Sequence, residues 1–179
     1  MVEVEDGDNW FVPTGDEVHK VAFVAHERVI KKNNLGWKDR AGLVTDNFKD
    51  YGMNLFGAWG EYYVAKYLNI MWGTGLEDIK GADLITQDGR GIQVKTTTHE
   101  YGGLMHRPNE IPTDFHVLVI STDRPFSFKI AGWLTGDEAR DEKYFDNPIL
   151  RNGRPPCYYV SQDKLNDIKT LKTKIYGAK

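Results

Sequence analysis

The stretch GADLITQDGRGIQVKTTT, residues 81–98, decides the fold. It predicts a β-hairpin, because residues 82–86 have the composition of a strand and the Asp88-Gly89 pair is typical of a tight turn. Residues 91–98, rich in β-branched side chains, are predicted to form the partner strand. A hairpin of this length needs further strands or a helix to cover its apolar side.

The second hairpin strand is predicted to have two chemically different faces. Side chains alternate across a strand, so Ile92 and Val94 point towards a core while Gln93 and Lys95 share the opposite face. Lysine is uncommon in the middle of a strand unless the strand is at a sheet edge or the ammonium group has a function. Asp83 lies on the paired strand and is brought across from this polar face when the hairpin closes.

A helix predicted over residues 55–69 carries a carboxylate on its apolar side. Glu61 belongs to a stripe at helical spacing whose other members are small or apolar: Gly57, Ala58, Val64, Ala65 and Leu68. Burying an unpaired carboxylate is costly, so a core-facing Glu61 requires a partner. The alternative is that Glu61 lies at the margin of the stripe and reaches water, and the sequence leaves both readings open.

These residues in this order resemble the PD-(D/E)xK nuclease superfamily, the restriction-endonuclease-like fold. The resemblance is carried by Gly60-Glu61 in the helix, by the segment Gly81-Ala82-Asp83-Leu84, and by Ile92-Gln93-Val94-Lys95 followed by two threonines. It covers residues 55–121 and implies an α/β fold with a mixed central β-sheet flanked by helices. The core would span about residues 55–134, with N-terminal helical and C-terminal extensions inside a single domain of residues 1–179.

The resemblance also implies a metal-dependent active site. Mg²⁺ or Mn²⁺ would be held by Asp83, by Glu61 and by the backbone carbonyl of Val94, since hard cations prefer oxygen ligands. Lys95 would hold or deprotonate the attacking water, or stabilise the charge on the phosphate, and the sequence does not choose between these roles. Gln93 stands where the family usually has an acid; it keeps a carbonyl oxygen to orient metal or water but loses a charge.

The expected substrate is DNA, which this endonuclease- or exonuclease-type hydrolase would cut. Thr97, Tyr101 and Arg107 follow the motif and are candidate nucleic-acid-binding residues. The sequence does not separate DNA from RNA, or duplex from branched or single-stranded forms. Nucleases of this fold that cut both strands often dimerise, so the resemblance makes a homodimer one expected arrangement.

Charge and composition restrict the class of protein. The chain of 179 residues has a net charge of −3, so contact with nucleic acid is expected from a local patch rather than from a basic surface. It contains a single cysteine and therefore no internal disulfide. No run of residues is long and apolar enough for a membrane helix, and the start lacks the pattern of a signal peptide, so a cytoplasmic or intracellular location is expected.

Other segments give weaker predictions. Helices are predicted from Asp16, as N-cap, to about Asn34, and from about Ser161 onwards; residues 37–54 look irregular and residues 101–113 look like a loop. Further strands are predicted at residues 115–121, 126–134 and 158–160. Of the histidines, His99, His106 and His116 do not have the spacing of a zinc site.

Two rivals to an active nuclease follow from the same residues. The first is a non-catalytic member of the fold that acts as a nucleic-acid-binding or assembly module, which Gln93 and the acidic net charge favour. The second is an unrelated α/β protein, in which Glu61, Asp83 and Lys95 would lie too far apart to share an ion.

Overall fold

The computed structural model describes residues 10–34, 47–73, 81–121, 127–146 and 156–177. Within these ranges the chain forms two β-sheets and four α-helices. The prediction of an α/β protein with a mixed sheet and flanking helices is confirmed.

The main sheet has five strands: β1 (Trp10–Phe11), β2 (Leu84–Ile85), β3 (Gly91–Thr97), β5 (Phe115–Ser121) and β6 (Phe128–Thr135). Their order across the sheet is β1-β6-β5-β3-β2. Strands β3 and β5 are parallel, and the other neighbours are antiparallel. Every residue of β5 is buried, as expected of a central strand with an almost continuous apolar sequence.

A smaller sheet of three strands lies beside it: β4 (Leu104–His106), β7 (Phe145–Asp146) and β8 (Cys157–Val160), in the order β4-β8-β7. It packs on the main sheet through a cluster of buried side chains formed by Leu104, Leu118, Leu134, Ala139 and Val160. The main sheet therefore has one face towards this small sheet.

The helices are α1 (Gly15–Asn34), α2 (Asn47–Leu68), α3 (Gly136–Ala139) and α4 (Ile168–Tyr176). Helices α1, α2 and α4 contribute to the large core on the opposite face of the main sheet, in a cluster that includes Val21, Trp59, Val64, Ile92, Val94, Val117, Val119, Phe128 and Leu171. None of the helices in the described ranges is both long and apolar enough to cross a membrane.

The predicted hairpin is present, with a shorter first strand. β2 has only two residues, although the backbone NH of Asp83 also donates to the carbonyl of Ile92 (3.0 Å). Gly89 has φ +84° at the turn, a conformation that favours glycine. β3 begins at Gly91, as predicted, and ends at Thr97.

Some predicted boundaries were wrong. Helix α2 begins at Asn47 rather than near Leu55, so residues 47–54 are helical, while residues 37–46 lie outside the described ranges. Local helix propensity fails here because Gly52 and Asn54 are weak helix formers that the tertiary contacts of α2 override.

Strand β4 lies inside the predicted loop 101–113; three residues give too short an alternation to detect. The C-terminal helix begins at Ile168, after a 3-10 turn at Gln162–Lys164, because Asp167 provides the N-cap and accepts from the NH of Lys169 (2.8 Å). At α1 the N-cap is Thr14, whose side chain and that of Glu17 bond reciprocally to each other's backbone NH, not Asp16.

Candidate active site

Asp83 lies at an open edge of the main sheet. Because β2 pairs with β3 only as far as Ile92, the part of β3 from Val94 onwards has no strand beside it on that side within the described ranges. The Asp83 carboxylate occupies this position. Its Oδ2 accepts a hydrogen bond from the backbone NH of Val94 (2.7 Å) and another from Nε2 of Gln93 (2.5 Å).

Gln93 and Lys95 share one face of β3, as the alternation predicts. Their partners in β5 are His116 and Leu118, on the face that the small sheet covers. Beside this face is a cavity of about 590 Å³. Its lining includes Asp83, Gln93 and Lys95 together with residues after β3: Met105, His106, Arg107, Asn109, Glu110 and Ile111.

Lys95 is held by a carboxylate that the sequence analysis did not select. Its ammonium group lies 3.0 Å from Glu110 Oε1 and 3.0 Å from Oε2. The backbone carbonyl of Glu110 in turn accepts from Arg140 (2.7 Å). The loop after β4 is therefore tied to the main sheet, with its acidic side chain beside the motif lysine.

Glu61 is buried and has a charged partner. Of the two interpretations that the sequence left open, the structure therefore supports a core-facing Glu61 with a partner rather than one that reaches water. Its side chain approaches from α2, on the face of the sheet opposite Gln93 and Lys95. Arg28 of α1 donates to both carboxylate oxygens, at 2.9 and 2.6 Å. The indole NH of Trp72 is 3.4 Å from Oε2.

A close contact between α2 and β3 brings Glu61 to this edge. The preceding residue, Gly60, faces the strand: a methyl group there would overlap the hydroxyl of Thr96 and lie 3.4 Å from Cγ1 of Val94. Only glycine lets the helix approach the sheet this closely. Gly60 is therefore part of what positions the carboxylate.

The electrostatics of Asp83 link both sides of the sheet. Burial and the negative charge of Glu61 raise the pKa of Asp83 to about 7, against the opposing effects of the Val94 NH, Lys95 and Arg28. The charges of Glu61 and Lys95 thus both act on Asp83. The structure brings Asp83, Gln93 and Lys95 to one cavity, and Glu61 acts on Asp83 from the other face of the sheet.

The histidine pair at the back of the cavity is uncharged at neutral pH. His106 and His116 are buried with ring centroids 4.9 Å apart. Burial lowers the pKa of His106 to about 4 and that of His116 to about 3. In the part of the chain that the structure describes, no three His, Cys, Asp or Glu side chains are grouped so that they could hold a metal ion.

The three predicted nucleic-acid-binding residues occupy different places. Arg107 lines the cavity. Thr97 ends β3, where its hydroxyl accepts from the NH of His99 (3.2 Å). Tyr101 is 85% exposed on the turn that follows, and the amide of Gln162 holds this turn by donating to the carbonyls of Glu100 and Gly102. Of the three, Arg107 alone is among the cavity-lining residues.

The oxygen atoms at the open edge suit one hard divalent cation. Asp83 supplies a carboxylate. Gln93 donates its amide NH₂ to that carboxylate, so its amide oxygen would join the ion after the amide group turned over. A strand residue presents its NH and its carbonyl to the same side, so the carbonyl of Val94 faces the same edge as the NH that binds Asp83. Mg²⁺ takes one or two carboxylates and completes its octahedron with waters and substrate phosphate. Glu61, by contrast, has both oxygens engaged by Arg28.

Sequence reasoning missed Arg28 and Glu110. Arg28 follows His26-Glu27 on a helix that was assigned to the extension, and Glu110 lies in a loop. Neither has a spacing signal, because both reach the site through tertiary contacts. No protein-family model matches the chain, and no curated protein matches it.

Proposed function

We propose that the protein is a divalent-metal-dependent nuclease that hydrolyses phosphodiester bonds of DNA at a site formed by Glu61, Asp83, Gln93 and Lys95. The observation that carries the proposal is that Asp83, Gln93 and Lys95 line one cavity of about 590 Å³ at an open sheet edge. Glu61 lies on the other face of the sheet, and its charge acts on Asp83 from there.

The chain order of elements supports the restriction-endonuclease-like form of the fold. Helix α2 carries Glu61, the β2-β3 hairpin carries the other three residues, and β5 runs parallel to β3. The PD-(D/E)xK resemblance implies a helix, a three-stranded antiparallel meander, a second helix and further strands. The first helix and the antiparallel β2-β3 pair agree with this order, but the pair is not extended into a three-stranded meander, and no helix lies between β3 and β5 in the described residues 81–121. We infer membership of that superfamily from this order and from the motif residues.

Each residue has a role that follows from its contacts. Asp83, the amide oxygen of Gln93 and the carbonyl of Val94 would hold Mg²⁺ or Mn²⁺. When bound, the ion polarises the phosphate and lowers the pKa of a water ligand. Lys95 lies in the same cavity as Asp83, where its ammonium group can stabilise negative charge on the phosphate. Glu110 holds the ammonium group there.

The test is a cleavage assay with duplex, nicked, branched and single-stranded DNA, and with RNA, in the presence and absence of Mg²⁺ and Mn²⁺. Asp83→Ala and Lys95→Ala should each reduce metal-dependent cleavage by at least about 100-fold, a typical loss for one electrostatic group in an active site. Asp163→Ala and Lys164→Ala are matched controls, because this Asp-Lys pair is exposed on a 3-10 turn and is not part of the cavity lining. Undiminished cleavage by either active-site variant would refute the proposal.

A second candidate is a non-catalytic module of the same fold that binds nucleic acid or supports assembly. Two ion pairs favour it, since Glu61 is engaged by Arg28 and Lys95 by Glu110. Titration calorimetry with Mn²⁺ separates the two candidates. An active nuclease should bind the ion in a manner that Asp83→Asn abolishes, whereas the module should show no such binding. Sedimentation of the protein with and without DNA tests for the homodimer expected of an enzyme that cuts both strands.

A further inference from the structure

The Arg28–Glu61 ion pair joins α1 to the candidate site, and the proposed function gives it no role. We propose that Arg28 is a built-in counter-ion that keeps Glu61 out of the metal coordination sphere, so that the site takes a single divalent cation on Asp83. Arg28 and Glu61 are then positioning residues. The inference rests on the proposed function and refines its ligand set.

The geometry of the pair leaves little of Glu61 for a metal. The guanidinium bonds both carboxylate oxygens, at 2.9 and 2.6 Å, in the two-bond arrangement that gives the strongest and most directional ion pairs. The two side chains are only 16% and 10% exposed. A metal ion that took Glu61 as a ligand would have to displace the guanidinium from this arrangement in a largely water-free interior.

Displacing the guanidinium would also break both hydrogen bonds between two oppositely charged, largely buried side chains. Removing one member of a buried ion pair is much more unfavourable than removing both, because the remaining charge is desolvated and uncompensated. The charges therefore favour a metal site that leaves the Arg28–Glu61 pair intact. Asp83 alone then supplies a carboxylate to the ion.

The charge balance at the edge points to one ion rather than two. Glu61 and Asp83 carry two negative charges, and Arg28, whose charge acts on Asp83 as well as on Glu61, compensates one of them. Lys95 and Glu110 compensate each other. Arg107 also lines the cavity and adds one positive charge, so these six side chains carry no net formal charge, which suits one divalent cation with a phosphate better than two cations. The Arg28 guanidinium supplies the positive charge that a second ion provides in two-metal sites.

The N-terminal helix α1 supplies Arg28 to the candidate site. The resemblance places residues before 55 outside the nuclease core, yet α1 supplies the residue that neutralises Glu61. Helix α1 also packs along α2 in the large core through Val21 and Ala25. On this inference α1 is part of the site.

The experiment is a titration of the metal-free protein of residues 1–179 with Mn²⁺, followed by calorimetry and by electron paramagnetic resonance of the free ion. The informative variant is Arg28→Met/Glu61→Met, which replaces the pair with apolar side chains of similar length, so that neither charge of the pair remains without the other. It should bind one Mn²⁺ with an affinity within about threefold of wild type, because the net charge is unchanged. Asp83→Asn should lose at least about tenfold in affinity.

The outcomes separate the inference from the proposed function. If the double variant loses as much affinity as Asp83→Asn, or if the wild type binds two ions, Glu61 is a direct ligand and the inference is wrong, while the proposed nuclease stands. If the wild type binds no Mn²⁺, the proposed function fails and the inference fails with it. Circular dichroism of the double variant, expected to match wild type, shows that the binding data refer to the folded protein.

Discussion

The two faces of the seven-residue strand β3 have different roles. On one face Ile92 and Val94 are 0% and 7% exposed and pack in the large core with α2. On the other face Gln93 and Lys95 are half-buried, line the cavity and bond to carboxylates. The apolar face contributes to stability and the polar face to the candidate chemistry, so substitutions on the two faces should affect different measurements.

The largest effect expected on stability is on the apolar face. Ile92→Ala removes buried methyl and methylene groups from the core and should lower the free energy of unfolding by about 2–5 kcal/mol. Gln93→Ala, the adjacent residue on the polar face, removes one side-chain hydrogen bond and should cost about 0.5–1.5 kcal/mol. Urea unfolding of both variants measures the difference. Equal losses in the free energy of unfolding would mean that the apolar face does not contribute more to stability than the polar face.

The second-largest effect on stability is expected at the close contact between helix α2 and strand β3. Gly60→Ala places a methyl group against Thr96 and Val94, so either the Thr96 side chain must rotate or helix α2 must move away from β3 together with Glu61. Overpacking of this kind typically costs about 1–3 kcal/mol. Gly57→Ala, three residues earlier on the same helix, meets no atom within 4 Å and should stabilise the protein by about 0.5–1 kcal/mol.

Gly60→Ala and Gly57→Ala are thus expected to change the free energy of unfolding in opposite directions. Thermal or urea unfolding of the two variants decides it, since both remove one glycine from α2 and differ only in what the new methyl group meets. If Gly60→Ala also stabilised the protein, the close approach of α2 to β3 would not be what positions Glu61.

The two faces of β3 were predictable because strand alternation is a local property of the sequence. The same is true of the hairpin turn at Asp88-Gly89 and of the apolar strand β5. The pairing partners were not predictable in this way. Arg28 reaches Glu61, and Glu110 reaches Lys95, only when helices and loops pack in the folded protein. Nothing in their local sequence indicates these contacts.

The boundaries that were wrong have a similar cause. The first two turns of α2 contain residues with poor helix propensity, such as Gly52, so the local sequence does not indicate where the helix begins. Strand β4 has three residues, and its pairing with β8 is a contact with a segment far along the chain. Local patterns therefore gave the motif and its strand register, while its ion-pair partners depend on tertiary structure.

The smallest effect expected is a pH dependence of the free energy of unfolding that arises from the titration of Asp83. Its pKa of about 7 in the folded protein is above its ordinary value of 3.8, so between these values the folded state binds a proton that the unfolded state has lost. Stability from this group is therefore complete at low pH and falls as pH rises towards 7, by at most about 1.4 kcal/mol per pH unit. His106 and His116 act in the opposite direction, because burial lowers their pKa values and they must be neutral to fold.

Comparison with Asp83→Asn isolates the contribution of Asp83, since the histidines affect wild type and variant alike. The asparagine can still accept from the NH of Val94 but carries no titrating charge. Urea unfolding in EDTA at pH 5, 6, 7 and 8 should show wild type losing stability relative to the variant up to about pH 7, and a constant difference above it. Parallel curves across the whole range would show that neither burial nor the charge of Glu61 raises the pKa of Asp83. In that case the electrostatic link between the two carboxylates on opposite sides of β3 would be absent.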